Sequence, residues 1–218
     1  VIHDAEIRAG NLAASYDAII LPDHYSIELL INGYPKGTMP PDYVGGLTTG
    51  GVNNLKEFVR QGGTLIFMNT TCDLAAQEFK APLRNILEKA KAEEFNCVGS
   101  ILQAEFDLSQ PVAYGLSNPQ PIIFADSCAF DLYPSFTDKN IPKVIGRYAG
   151  DNLLLSGWIY GQNLIQQKAA VVEVPVEKGR LILLGFPVQY RAQPRGPFKL
   201  LFNSIFYGTI KNSSGHKG

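Results

Sequence analysis

The chain has 218 residues, 45% hydrophobic and 18% charged, with 19 Lys and Arg against 20 Asp and Glu for a net charge of -1. That balance excludes an electrostatic nucleic-acid binder, which needs surplus cations to displace condensed counterions. The 12 Phe, 10 Tyr and 1 Trp exclude a disordered acidic chain, and no apolar run approaches the roughly 18–20 residues that span a bilayer.

Val1 to Asp4 reads as a short strand and not as a targeting segment. Tyr16 to Asp23 is a continuous apolar run stopped by Pro22-Asp23, as in a strand buried on both faces of a parallel sheet. A Gly- and Pro-rich loop follows from Asn32 to Gly51. Val52, Leu55, Phe58 and Val59 recur at helical spacing, and Gly62-Gly63 ends that helix. Thr64 to Met68 is the next buried strand, which completes a right-handed βαβ unit. After Thr71 a helical stretch, interrupted at Pro82, runs to about Glu94.

The middle of the chain changes character. Ile101 to Phe106, Ile122 to Ala125, Lys143 to Tyr148 and Leu153 to Ser156 read as short antiparallel strands. Ala169 to Val176 and Arg180 to Gly185 form a hairpin about Glu177-Lys178-Gly179. The last element is a helix from Phe198 to Tyr207, with Phe198, Leu201, Phe202, Ile205 and Phe206 as its apolar face and Gly208 at its end. Residues 1–210 read as one domain and 211–218 as a frayed polar tail.

The three cysteines, Cys72, Cys97 and Cys128, cannot all pair. Cys97 and Cys128 could bond in a secreted protein, but buried free thiols are the better reading. Cys72 lies three residues after a buried strand and before Asp73-Leu74-Ala75, where a helix N-terminus lowers a thiol pKa. A thiol hydrolase would pair it with a histidine. His24 follows Asp23 at the same sheet edge, whereas His216 lies in the tail. The plainer reading of Cys72 is a structural thiol. His3 and Glu6 match HxxE in form, but a strand end would set them on opposite faces, so no metal is expected. Gly45-Gly46 and Gly50-Gly51 precede a helix without a phosphate-loop pattern and read as a flexible turn. Gln189, Tyr190 and Arg191 follow a late strand, where open α/β sheets bind ligands. Trp158 reads as a core aromatic.

Several blocks carry a resemblance. They are Tyr16–Asp23 (YDAIILPD), Pro40–Leu47 (PPDYVGGL), Phe58–Leu65 (FVRQGGTL), Pro111–Leu116 (PVAYGL) and Leu155–Trp158 (LSGW). Gly185–Gln193 (GFPVQYRAQ) and Phe198–Asn203 (FKLLFN) complete the set. Together they resemble the class I glutamine amidotransferase-like domain at the C-terminus of bacterial zinc carboxypeptidases of the carboxypeptidase A type, over about Ile2 to Gly208. The resemblance implies a flavodoxin-like α/β fold, a parallel sheet flanked by helices, with the β-rich section packed at one end. It implies a secreted or periplasmic parent whose zinc-binding peptidase domain lies upstream, with a further strand and helix just before Val1. No cofactor is expected in this chain, since the zinc would sit in the peptidase domain.

The departures bear on activity. Class I amidotransferases carry GxCxG at the elbow and HxE after a late strand. Here the elbow region is Asn69-Thr70-Thr71-Cys72-Asp73, and Pro187 to Gln193 holds neither His nor Glu. Loss of the base and its orienting carboxylate removes the proton relay. The expectation is therefore a non-catalytic accessory domain that supports the peptidase domain or binds its substrate. The alternatives are a thiol hydrolase using Cys72 and His24, and a small-ligand binding module without chemistry. The expected contact surface is Asp23, His24, Asn69, Thr70, Cys72, Asp73, Gln189, Tyr190 and Arg191. The expected partner is the upstream peptidase domain, and an unpaired sheet edge would favour a homodimer of the isolated chain.

Overall fold

A computed structural model describes residues 1–133 and 141–210, so the 211–218 tail and His216 lie outside the described residues. The chain opens not on a strand but on helix α1 (Asp4–Ala9), with His3 as N-cap. The Glu6 carboxylate accepts from the His3 backbone N–H at 2.8 Å. The HxxE spacing is thus a helix-capping device.

Strand β1 (Ala18–Leu21) follows. It pairs in parallel with β2 (Thr64–Met68). Between them lie α2 (Ile27–Asn32) and α3 (Thr48–Arg60). Helix α2 precedes the stretch read as a loop and ends at its first residue, Asn32, while the end of that stretch, with Gly50 and Gly51, already lies inside the first turn of α3. Gly62 has φ +114°, and a Cβ on Gly63 would strike the Phe58 ring. Those glycines let α3 turn back directly onto β2. Leu55, Phe58 and Val59 of α3 are buried, each contributing roughly 1.5–3 kcal/mol of burial.

After β2 come α4 (Cys72–Gln77) and β3 (Leu83–Asn85). The helix foreseen to Glu94 stops early. Lys80 takes φ +53°, and Pro82 has no N–H to continue a helix. The remaining strands are β4 (Val98–Phe106), β5 (Gln120–Ala125), β6 (Phe130–Leu132), β7 (Lys143–Tyr148), β8 (Leu154–Ser156), β9 (Ala169–Val176) and β10 (Gly179–Leu184). Helix α5 (Phe198–Thr209) comes last.

The described strands form one sheet with the main path β1-β2-β10-β9-β7-β4-β5. Strands β3 and β6 pair beside β9, and β8 pairs with β4. The flavodoxin-like parallel sheet is corrected here. Only the β1-β2-β10 segment is parallel, and the pairs from β10 to β5 are antiparallel. The cause is connection length. Parallel neighbours need a long crossover, whereas the tight Glu177-Lys178 turn sends the chain straight back. Nor is the β-rich half an appendage at one end, because it continues the same hydrogen-bonded sheet.

Alternation along β2 and β10 builds two cores. Leu65, Phe67, Leu181 and Leu183 face α1, α3 and α4. Ile66, Met68, Ile182 and Leu184 face the α5 side. Strand β1 is at the edge, with Ile19 and Leu21 buried and Ala18 and Ile20 half-buried. It is not a fully buried strand. Helix α5 also differs from expectation. It buries Leu200, Ser204 and Gly208, while Phe202 and Phe206 are exposed. A Cβ on Gly208 would lie 2.9 Å from Ala18 Cβ, so this helix sits too close to the sheet for phenylalanine at the contact. Trp158 is exposed and stacks on Tyr160 instead of entering the core.

Candidate functional site

The carboxyl ends of β1 and β2 meet at a sharp turn. Asn69, the first residue after β2, takes φ +52°. This is the strained strand-to-helix position at which α/β hydrolytic folds place a nucleophile, and asparagine tolerates it better than most residues. Asn69 is 1% exposed. Its Nδ2 donates to Asp23 Oδ2 at 3.0 Å and to the Ala125 carbonyl at 3.2 Å. Those two bonds fix the amide's orientation and leave Oδ1 buried without a hydrogen-bond partner.

Thr70 ties the two strand ends together. Its backbone N–H donates to Asp23 Oδ1 at 3.3 Å. Its hydroxyl lies 2.6 Å from both Asp23 Oδ1 and the His24 carbonyl, and its single proton serves one of them at a time. The Thr71 hydroxyl accepts from the Met68 N–H and contacts the Leu21 carbonyl. Asp23, Asn69, Thr70 and the His24 carbonyl are thus brought together.

Cys72 is not at the elbow. It is fully buried one turn later, and its Sγ faces the Phe67 carbonyl at 3.6 Å. His24 turns its Nδ1 to Ser26, and no hydrogen bond joins it to Cys72 among the described residues. The cysteine–histidine pair of the hydrolase reading is therefore not assembled. Cys128 lies beside Cys72, with its Sγ 3.4 Å from the Asn69 carbonyl. The neighbouring Cys72 thiol and complete burial hold Cys128 well above the usual thiol range. Cys72, Cys97 and Cys128 are all free and buried, so the Cys97–Cys128 bond is absent.

Two cavities flank the turn and adjoin at Thr70 and Asp126. One, of about 360 Å³, is lined by Asp23, Tyr25, Asn69, Asp126, Gln189 and Tyr190 among others. The second, of about 410 Å³, includes Asp73, Asn85, Glu88, Phe95 and Cys97. Asp73 lies in the first turn of α4 and accepts from Asn85 Nδ2 at 3.4 Å. Desolvation raises its carboxyl to about 6, against the opposing Asn85 bond and with help from the Glu88 charge. Arg191, at φ +48°, lays its guanidinium over the Tyr190 ring at 5.2 Å and lines neither cavity.

Sequence reasoning missed Asp126, Tyr25, Asn85 and Glu88. Asp126 had a signal, since it directly follows the apolar run Ile122 to Ala125 read as a strand. Glu88 had none, because its segment read as helix. Among the described residues, no group of three or more His, Cys, Asp or Glu could hold a metal ion, and no helix is long and apolar enough to cross a membrane.

No family model matches the chain, and no curated protein does. Solved structures do. A cytoplasmic protein of Salmonella typhimurium is similar over 94% of this chain and 78% of its own, at 13% identity and TM-score 0.55. A putative ThuA-like protein of Bacteroides uniformis matches over 98% and 75%, at 12% identity and TM-score 0.52. A second cytoplasmic protein, from Salmonella typhimurium LT2, matches over 91% and 73%, at 14% identity and TM-score 0.52. The chain shares its overall fold with these three proteins, one of which is described as ThuA-like. At such identity the likeness concerns fold alone, and neither sequence comparison ties the chain to carboxypeptidases.

Proposed function

We propose that this chain is a non-catalytic, amidotransferase-like accessory domain that presents its carboxyl sheet edge to a ligand or to a neighbouring domain. One observation carries the reading: the elbow position holds Asn69, bonded to Asp23, while Cys72 is buried behind it. An amide oxygen at that point cannot do the work of a thiolate, and the late-strand segment supplies no histidine base. The sequence resemblance extends the proposal to the parent protein, a secreted or periplasmic zinc carboxypeptidase whose catalytic domain precedes this one. In isolation, two copies would pair along the open β1 edge.

Two measurements test it. Ammonia release from glutamine and iodoacetamide labelling of native protein are followed together. The expected result is no glutamine hydrolysis above buffer, with Cys72 alkylated far more slowly than a model thiol. Turnover abolished by Cys72→Ser would overturn the reading. The parent assignment is checked separately in the reading frame, which should continue upstream into a zinc-peptidase domain.

A further inference from the structure

The two cavities beside the elbow share a chemical bias. Asp23 and Asp126 line one, and Asp73, Glu88 and again Asp126 line the other. No Lys, Arg or His lines either. None of these four carboxylates forms an ion pair among the described residues. A chain with nearly balanced charge has thus gathered four carboxylates without an ion pair around one turn, and low-dielectric walls focus such a field.

A second, independent feature points the same way. Asn69 is 1% exposed and lines the first lobe, yet its Oδ1 has no partner. An unpaired buried acceptor costs about 1–3 kcal/mol. It calls for an N–H or O–H donor from whatever fills the lobe. Tyr190 lines the same lobe, and a ligand cation on its ring would share or displace the Arg191 guanidinium that lies over it at 5.2 Å.

We propose that the two lobes form one site for an extended organic cation, with amino or guanidino groups at both ends. One end would reach Asn69 Oδ1, Asp23 and Tyr190. The other would reach Asp73 and Glu88, with Asp126 at the junction. A single metal ion fits poorly, because no three ligating side chains converge among the described residues. A neutral polyol would leave the charges uncompensated. The inference rests on the accessory-domain reading and names the ligand class of that same edge.

The test is calorimetric titration of the whole chain at low ionic strength. The probes are spermidine and the dipeptide Lys-Arg, with sucrose and magnesium chloride as controls. Both cations share the required chemistry, and the tighter of the two indicates whether a free polyamine or a basic peptide is the source. The expected result is one-to-one binding of at least one cation, weakened severalfold when salt shortens the screening length. Asp73→Asn should weaken it about tenfold, as befits a partly buried charged partner. Asp126→Asn and Glu88→Gln, at exposed positions, should each weaken it about threefold. Asp151→Asn, outside both lobes, should leave it unchanged. No heat with either cation would overturn the proposal. So would equal losses in the Asp151 variant, stoichiometric magnesium binding, or sucrose binding indifferent to the carboxylates. Glutamine turnover, by contrast, would overturn the accessory-domain reading and leave the titration standing.

Discussion

Asp73→Asn offers a quantitative handle on the acidic cleft. Asp73 titrates at about 6 in the folded protein, against 3.8 for an unperturbed carboxyl, chiefly because burial strips its solvent. Ionising it there costs up to ~3 kcal/mol of folding stability. Asp73 is only partly buried, and screening trims the cost to about 2 kcal/mol. Its charge also favours the N-terminal turn of α4 by a few tenths of a kcal/mol, which leaves about 1.5 kcal/mol net. The sign follows from proton counts. Between 3.8 and about 6 the folded state keeps a proton that the unfolded chain has lost. Stability therefore falls as pH rises through that window, and the full penalty stands above it. Asparagine cannot ionise and can still accept from Asn85 through its amide oxygen. The variant should match the parent near about pH 4 and exceed it by about 1.5 kcal/mol near about pH 7.5. Urea unfolding at both pH values, with m unchanged, reads this directly. A gain independent of pH, or a loss at the higher pH, would refute the desolvation argument. Saturating spermidine should shrink the difference, because a bound cation stabilises the ionised parent.

Other outcomes follow from the packing. Asn69→Gly should be more stable than Asn69→Ala by about 1 kcal/mol in urea unfolding, because alanine adds left-handed strain to the same lost hydrogen bonds; equal stabilities would remove the strained elbow from the account. Gly63→Ala forces a methyl into the Phe58 ring and should destabilise by about 1–3 kcal/mol, a loss that Gly63→Ala combined with Phe58→Leu should partly restore. Sedimentation of the isolated chain should show a concentration-dependent dimer, since β1 pairs with β2 alone among the described strands; a monomer up to the highest soluble concentration would exclude edge pairing.

Which parts of the fold could be read from sequence depends on what each signal measures. Thr64 to Met68 and the Ala169 to Leu184 hairpin were legible because apolar runs bounded by turn residues need no tertiary information. Strand direction was not, because Val-rich β9 has the same composition whether its neighbour runs with it or against it. The helix to Glu94 failed because periodicity persisted past Pro82 while the backbone had already turned at Lys80. On α5 the hydrophobic count chose phenylalanines for the core. The sheet chose Leu200, Ser204 and Gly208, since close approach to Ala18 and Thr64 admits only small side chains at Gly208.

At the sheet edge, the plainer reading of Cys72 as a structural thiol agrees with its complete burial, and the nucleophile alternative does not. Cys72 drew the nucleophile reading because it is the reactive residue type in the segment. The residue directly after β2 is what the turn constrains, and that residue is Asn69. Asparagine is among the few side chains that hold a left-handed φ at modest cost. The elbow can therefore persist as a rigid corner without a nucleophile on it. That corner sets Asp23, Thr70 and the end of β5 in fixed relation through three hydrogen bonds from Asn69 and Thr70. Cys128 is buried against the Asn69 carbonyl and Cys72 against the Phe67 carbonyl, which keeps both thiols off the surface. A turn built that way offers, at its mouth, carboxylates and an unpaired amide oxygen. Those groups accept hydrogen bonds, which is what the proposed recognition of a donor-bearing ligand at this edge requires.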